Sequence, residues 1–200
     1  VELENFTYLK ESSGIPVVCF AARLLIDKGV KEYIYAARIL RERGIKARFL
    51  LAGDTDNQNP TALNFNELNR INDDAIVEIL GYQKDIPTLF ANSHIICLPS
   101  YREGLPKSLI EAAAAGRAVI TTDVPGCRDA IIPNKTGLLV PVRNSEALAN
   151  AIQNLIQNSA KREKMGKAGR ELAEKNFAIE KIVNAHLNIY TELNNSWGSA

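Results

Sequence analysis

The sequence has little of what marks several common protein classes. Its formal net charge is +1, so overall charge gives no reason to expect binding to nucleic acid or to an acidic surface. No apolar run reaches the ~18 residues that a membrane-spanning helix requires. The chain contains neither a Walker loop, GxxxxGK followed by Ser or Thr, nor the dinucleotide fingerprint GxGxxG. These absences exclude a transmembrane segment within the sequence and two common phosphate-binding motifs.

Metal-ligating side chains are also few, with three cysteines and two histidines. Cys19 and Cys97 lie in apolar, strand-like segments, and no two cysteines are close enough in sequence to form a ligand pair. We therefore interpret Cys19, Cys97 and Cys127 as small hydrophobic residues in a reducing compartment. His94 opens an apolar run and His186 lies on an apolar helical face, so both are predicted to be structural. The sequence predicts no metal site.

Short apolar runs alternate with helical patterns along most of the chain. Residues 15–22, IPVVCFAA, are uninterrupted by polar side chains, as in a strand that is buried on both faces. Residues 27–44 then place apolar side chains at helical spacing. Because this alternation repeats, the sequence predicts an α/β fold with a Rossmann-like parallel sheet and helices on both faces. Such sheets bind ligands in the loops at the carboxyl ends of their strands.

The chain begins at VELENF without a methionine, and we expect it to be part of a longer protein. Residues 1–14 are predicted to be a linker. Residues 15–175 are predicted to form one domain, and residues 176–200 a closing helix and a tail. The last residues, NNSWGSA, are expected to fray.

The loop after the first predicted strand, ARLLIDKG, contains two cations. Arg23 follows the strand directly, and Lys28 lies at the start of the next predicted helix. Cations beside a helix N-terminus attract anions, because the helix dipole and the unpaired amides add to their charge. We therefore predict a diphosphate site at Arg23 and Lys28. The alternative is that both are solvated surface charges.

A second loop, within SYREGLPKSLIEAAAAG, leads into another predicted helix. Gly104 allows the backbone to approach a ligand closely. Pro106 suits the first turn of a helix, because it has no amide hydrogen to leave unpaired. The amides that follow are predicted to donate to anionic oxygens in the same crevice, namely those of Lys107, Ser108 and Leu109.

Two carboxylates flank this helix N-terminus. Glu103 lies just before it, and Glu111 lies within the helix, between Ile110 and a run of alanines. An unpaired buried carboxylate is costly, but a ribose could donate its hydroxyls to Glu111, as it does to the acidic residue of dinucleotide folds. The alternatives for Glu111 are exposure to solvent or an ion pair with Arg117.

With its E-x7-E spacing, EGLPKSLIEAAAAG resembles the family-4 retaining glycosyltransferases of GT-B architecture, and specifically their C-terminal, donor-binding domain. Ala22, where Gly is common, and Leu105, where Phe is frequent, depart from the family's pattern. The resemblance runs from about Val1 to Leu193. Other segments are similar to that domain in the same order, namely VELENF, ARLLIDKG, LGYQKDIPTLFANSHIICLPSYREGLP, VPGCRDAIIPNKTGLLVP and NFAIEKIVNAHLNIYTEL.

The resemblance implies a role for each candidate site residue. Arg23 and Lys28 would contact the diphosphate of the donor. Glu103 would contact hydroxyls of the transferred sugar, and Glu111 would hold the ribose. Backbone groups would contact the base around Gly81 and Tyr82, and sugar and phosphate along Gly104, Leu105, Pro106, Lys107, Ser108 and Leu109.

The implied reaction is retaining transfer of a hexosyl group from a UDP- or GDP-sugar to a glycan, lipid or other acceptor, without a metal or another cofactor. The acceptor would bind mainly to the missing N-terminal domain, so we expect the chain alone to be inactive. The protein would be cytoplasmic, and that domain could associate with the inner face of the membrane. Two alternatives stay open. A non-catalytic nucleotide-binding domain would have no use for Glu103, and a GT-B epimerase would need acid–base residues from both halves.

Overall fold

The computed structural model describes residues 1–56, 58–72 and 75–197. Within these ranges, six parallel strands form one sheet in the order β3-β2-β1-β4-β5-β6. The predicted parallel α/β fold is therefore confirmed. The strands are β1 (Val17–Ala21), β2 (Arg48–Ala52), β3 (Glu78–Gly81), β4 (Ile95–Leu98), β5 (Ala118–Thr122) and β6 (Gly137–Val140).

Helices connect and cover the strands. The connection from β1 leads to β2 on one side, and the connection from β4 leads to β5 on the other side. Because both connections are right-handed crossovers, the helix after β1 and the helix after β4 lie on opposite faces of the sheet. No helix in the described ranges is both long and apolar enough to span a membrane. The α-helices are α1 (Val30–Glu42), α2 (Phe65–Ile71), α3 (Ile86–Ala91), α4 (Lys107–Ala114), α5 (Pro125–Asp129), α6 (Ser145–Gln157), α7 (Ser159–Asn176) and α8 (Ile179–Trp197).

The sequence pattern located these elements well, but it misjudged some of their ends. The helix expected from residue 27 begins at Val30, after a 3₁₀ turn at Ile26–Lys28. The break between α7 and α8 lies at Phe177 and Ala178, next to the predicted position. Helix α8 continues to Trp197 and so includes the first four residues of NNSWGSA, whose fraying stays a prediction. Residues 198–200 lie outside the described part of the chain.

The core lies around the central strands, where every residue of β1, β4 and β5 is buried. All three cysteines are buried and free, and burial raises the pKa of the Cys19 thiol to about 12. The amide of Val17 donates to Nδ1 of His94 over 3.0 Å, and Nε2 of His94 lies 2.9 Å from the carbonyl of Ser12. The structural interpretation of these cysteines and of His94 is confirmed.

The first 14 residues, predicted to be a linker, pack against the domain. Phe6 is buried, and its carbonyl accepts a hydrogen bond from Arg170 over 2.6 Å. The same guanidinium donates to the carbonyl of Ala114, at the end of α4, over 2.7 Å. Glu11 forms an ion pair of 2.7 Å with Arg162, and both side chains are less than a tenth exposed. This segment is therefore an integral part of the domain's packing.

Candidate functional site

The strand order defines where a ligand can bind. The chain adds β2 and β3 on one side of β1 and then returns to place β4 on the other side. The loops after β1 and β4 therefore leave the sheet side by side, at the switch point where open α/β sheets bind ligands. Gly29 has a φ of 76°, and a Cβ atom added there would lie 2.2 Å from the carbonyl oxygen of Pro99. Glycine thus allows the two loops to approach closely.

This close approach joins Lys28 to Glu103. The Nζ atom of Lys28 lies 2.6 Å from Oε1 of Glu103, and the hydroxyl of Ser100 donates to the same oxygen over 2.7 Å. The Lys28 side chain is 19% exposed and that of Glu103 is 10% exposed. Both contacts are to Oε1, and no described residue hydrogen bonds to Oε2. Oε2 is therefore the oxygen that can accept from a ligand hydroxyl.

A cleft of about 1220 Å³ opens at the same edge of the sheet. Its walls are the loops after β1, β2 and β3, the first two turns of α4, and residues near the chain's start and the start of α8. Of the predicted site residues, five line the cleft, namely Arg23, Tyr82, Lys107, Ser108 and Glu111. The other seven do not contribute to the lining, namely Lys28, Gly81, Glu103, Gly104, Leu105, Pro106 and Leu109.

The N-terminus of α4 lies at this cleft, where Lys107 and Ser108 line it. Helix α4 begins at Lys107 with Pro106 as its N-cap. The amides of Lys107 and Ser108 belong to the first turn, where an α-helix offers no carbonyl partner. Leu109 is a correction to the prediction, because its amide donates to the carbonyl of Pro106 over 3.1 Å and its side chain is fully buried. Two amides are thus available here, where three were predicted.

Glu111 is buried beside the cleft with one weak partner. The residue is 9% exposed, and its Oε1 atom lies 3.3 Å from Nζ of Lys107, whose side chain is 85% exposed. The proposed ion pair with Arg117 is wrong, because the Arg117 guanidinium donates to the carbonyls of Phe90 and Ala91 over 3.1 and 2.9 Å. Glu111 therefore has carboxylate lone pairs that can accept from a ligand in the cleft.

Arg23 also has a carboxylate partner. Its Nη1 atom lies 2.8 Å from Oδ2 of Asp56, with side chains that are 60% and 33% exposed. Together with Lys28–Glu103 and Lys107–Glu111, this makes three cation–carboxylate pairs at one edge of the sheet. An exposed pair of this kind contributes little stability, so Arg23 can exchange Asp56 for an anionic ligand at little cost.

Sequence reasoning missed several residues of the cleft. Asp54, Thr55 and Asp56 follow β2, and residues 83–88 follow β3. The acidic run GDTD directly after a buried strand was the available signal for the first group. Gly126 was also missed, although it shapes the loop that contains Glu103. A Cβ atom at Gly126 would lie 1.9 Å from the carbonyl oxygen of Gly104 and 2.5 Å from that of Glu103.

Residues 4–172 match the family described as glycosyl transferases group 1. The chain belongs to this family. A relative from Campylobacter jejuni, N,N'-diacetylbacillosaminyl-diphospho-undecaprenol alpha-1,3-N-acetylgalactosaminyltransferase, is 37% identical over 152 residues, which are 76% of this chain and 38% of the relative. The chain therefore spans well under half of that relative.

Solved structures of GT-B glycosyltransferases share the fold. Sucrose-phosphate synthase from Thermosynechococcus elongatus superposes with a TM-score of 0.87 and 27% identity, over 98% of this chain and 51% of that enzyme. HepE from Anabaena, in complex with UDP-glucose, has a TM-score of 0.81 and 20% identity, over 96% of this chain and 56% of HepE. The chain thus corresponds to about half of each of these two solved chains.

Proposed function

We propose that this domain binds a nucleotide-diphosphate sugar for retaining transfer of a hexosyl group in polysaccharide or glycoconjugate biosynthesis. The observation that supports this best is the Lys28–Glu103 pair at the switch point of the sheet, with Glu103 four residues before Lys107, where α4 begins. A cation and helix amides suit the diphosphate of such a donor, and a carboxylate with one unoccupied oxygen suits its sugar hydroxyls.

The negative part of the donor would lie along the loop after β1 and the start of α4. Arg23, Lys28 and the amides of Lys107 and Ser108 contact the diphosphate. When the glycosidic bond breaks, negative charge develops on the leaving nucleoside diphosphate, and fixed cations and helix amides stabilise it without having to reorganise. The proposed reaction uses no further cofactor.

The uncharged parts of the donor would be held by the two glutamates and by the backbone after β3. Glu111, at the cleft, accepts from the ribose hydroxyls. Oε2 of Glu103 accepts from the transferred sugar. Backbone groups at Gly81 and Tyr82 meet the base. The UDP-glucose bound to HepE supports uridine as the first base to test, with guanosine as the second.

Acceptor binding is assigned to the N-terminal domain that we propose to precede this chain. Val1 and Ile179 are joined by a backbone hydrogen bond of 3.0 Å, so such a domain would adjoin the start of α8. That helix exposes Ile182, Val183 and Leu187, which supports contact with another domain. The name of the Campylobacter relative supports a lipid-linked acceptor, and we place the protein in the cytoplasm, at the inner face of the membrane. Either the leaving phosphate or that other domain deprotonates the acceptor.

A calorimetric panel tests this function. The 200-residue chain is titrated with UDP, GDP and ADP and with a sugar conjugate of each. We expect one nucleoside diphosphate and its conjugate to bind, and we expect no sugar transfer until the N-terminal domain is present. Binding of the nucleotide but of none of the sugar conjugates would favour a non-catalytic nucleotide-binding domain. Binding of none of these ligands would reject both functions.

A further inference from the structure

Tyr101 ties the loop after β4 to elements on both sides of it. Its hydroxyl donates to Oε1 of Glu32, in the first turn of α1, over 2.7 Å. Its amide donates to the carbonyl of Asp27 over 2.8 Å. The guanidinium carbon of Arg143, after β6, lies 4.7 Å from the centroid of its ring. Through its amide and its side chain, Tyr101 therefore links the loop after β4 to the loop after β1, the start of α1 and the loop after β6.

The two carboxylate oxygens of Glu32 have different surroundings. Oε1 of Glu32 accepts the Tyr101 hydroxyl, while Oε2 is buried without a hydrogen-bond partner among the described residues. A buried, unpaired carboxylate oxygen lowers stability, so fold stability alone does not account for a glutamate at this position. Burial first, and then the Glu32 carboxylate, raise the pKa of the Tyr101 phenol to about 12. Both effects favour the protonated phenol, which is the form that donates to Glu32.

Arg143 adds a second unusual feature. It has a φ of 55°, in the left-handed region that residues other than glycine seldom adopt. Such backbone conformations persist where the surrounding structure enforces them. Here the conformation accompanies the position of the guanidinium over the Tyr101 ring, where a cation–π contact is favourable.

The position of Tyr101 bears directly on the Lys28–Glu103 pair. Tyr101 is two residues before Glu103, and Asp27, which accepts its amide, is directly before Lys28. The Tyr101–Asp27 bond and the Lys28–Glu103 pair are thus neighbouring links between the same two loops. Between Tyr101 and α4, Arg102, Gly104 and Leu105 are exposed. Fixing Tyr101 therefore fixes the part of the loop from which Glu103 projects.

We propose that Tyr101 is a positioning residue for Glu103, anchored by Glu32 and Arg143, and that it sets how Oε2 of Glu103 meets the sugar of the donor. Tyr101 itself need not touch the ligand. This inference rests on the proposed function and adds to it a determinant of sugar recognition outside the E-x7-E segment. Loss of the Tyr101 hydroxyl should therefore weaken contacts to the sugar and leave those to the nucleotide intact.

The test compares UDP with UDP-glucose on the Tyr101→Phe variant of the 200-residue chain. We expect the affinity for UDP to stay within about twofold and that for UDP-glucose to fall about 3- to 10-fold, less than the loss of a directly contacting charge-assisted hydrogen bond, because Tyr101 acts on the ligand through Glu103. The melting temperature should fall, because Oε1 of Glu32 loses its donor, while the ring and its contact with Arg143 remain. A purely structural role would weaken both ligands together.

Four further variants make the result specific. Tyr35→Phe removes a phenol hydroxyl from the exposed side of α1 and should change neither affinity. Glu32→Gln keeps a carbonyl oxygen that can accept from Tyr101 and should retain most UDP-glucose binding. Glu32→Leu should behave like Tyr101→Phe, and the Tyr101→Phe/Glu32→Leu double variant should lose no more than either single variant.

The outcomes distinguish failure of the positioning role from failure of the proposed function. Suppose that the unaltered chain binds UDP-glucose. If Tyr101→Phe then binds UDP and UDP-glucose with unchanged affinity, or loses affinity for both equally, the positioning role is rejected and the proposed function stands. If the unaltered chain binds UDP but not UDP-glucose, the donor assignment is rejected together with the positioning role.

Discussion

Nζ of Lys28 and Oε1 of Glu103 lie 2.6 Å apart, although the two residues are 75 positions apart in the sequence. The pair links the loop after β1 to the loop after β4, and both side chains are largely shielded from water. In the proposed function the cation faces the diphosphate and the carboxylate faces the sugar. The same contact thus serves the fold and orients two ligand-binding groups.

This pairing predicts a non-additive effect on stability. Glu103→Ala leaves the shielded Lys28 without its partner and should lower the free energy of unfolding by about 1–3 kcal/mol. The ammonium group of Lys28 is still partly removed from water, but the hydrogen bond that compensated for this is lost. The double variant Lys28→Met/Glu103→Leu should be more stable than Glu103→Ala. Urea unfolding of the double variant and of its two single variants, Lys28→Met and Glu103→Leu, measures the coupling. Strictly additive values would mean that the pair contributes nothing.

The two glutamates should differ in which ligand they affect. Glu111→Ala should weaken binding of nucleoside diphosphate and sugar nucleotide by similar factors, because both contain the ribose. Glu103→Ala should weaken the sugar nucleotide alone, since only that ligand has the sugar. In the full-length enzyme, turnover should fall further than affinity, because sugar contacts can strengthen as charge develops at the anomeric carbon. Paired calorimetric titrations decide this, and equal losses in both ligands for Glu103→Ala would reject its role.

Arg23 and Asp56 should have opposite effects on nucleotide binding. Arg23→Ala should weaken nucleoside diphosphate binding about 3- to 10-fold, as expected for a charge-assisted but exposed contact. Asp56→Asn removes the carboxylate that competes for Arg23 and should strengthen binding by about twofold. Both effects should shrink as salt is raised. Titrations at low and high salt measure them, with Arg48→Ala, a cation paired with Glu78 on the edge of the sheet, as the control.

Two glycines near Glu103 should respond differently to alanine. Gly126→Ala places a Cβ atom 1.9 Å from the carbonyl oxygen of Gly104, so the backbone must move. We expect a loss of about 1–3 kcal/mol in unfolding free energy, typical of overpacking, and weaker sugar-nucleotide binding. Gly104→Ala meets no atom within 4 Å and should leave stability nearly unchanged. Equal melting temperatures for the two variants would contradict the packing of α5 beneath the loop.

The buried ion pair of the first segment predicts that this segment stabilises the domain. Glu11→Ala leaves Arg162 without its carboxylate and should lower the free energy of unfolding by about 3–5 kcal/mol, as is usual when one partner of a buried pair is removed. Glu4→Ala removes an exposed carboxylate from the same segment and should have little effect. Thermal and urea unfolding compare the two. A small effect of Glu11→Ala would show that residues 1–14 act as a linker only.

The sequence by itself determined the elements and the chemistry at their ends. Uninterrupted apolar runs located the six strands, because a strand buried on both faces has apolar side chains at every position. Helical spacing located the main helices, because a helix buried along one stripe has apolar side chains every three or four residues. The same local information placed Arg23 at a strand end, Pro106 at a helix start and Glu111 within that helix.

Only the tertiary structure decided which of these groups meet. Local periodicity does not encode strand order, and it was the placement of β4 beside β1 that brought Glu103 to Lys28. Likewise, Arg117 turned to backbone carbonyls and left Glu111 facing the cleft. Tyr101 became an anchor only because α1 placed Glu32 within 2.7 Å of its hydroxyl. Contacts between distant segments depend on how the whole core packs, so no single stretch of sequence specifies them.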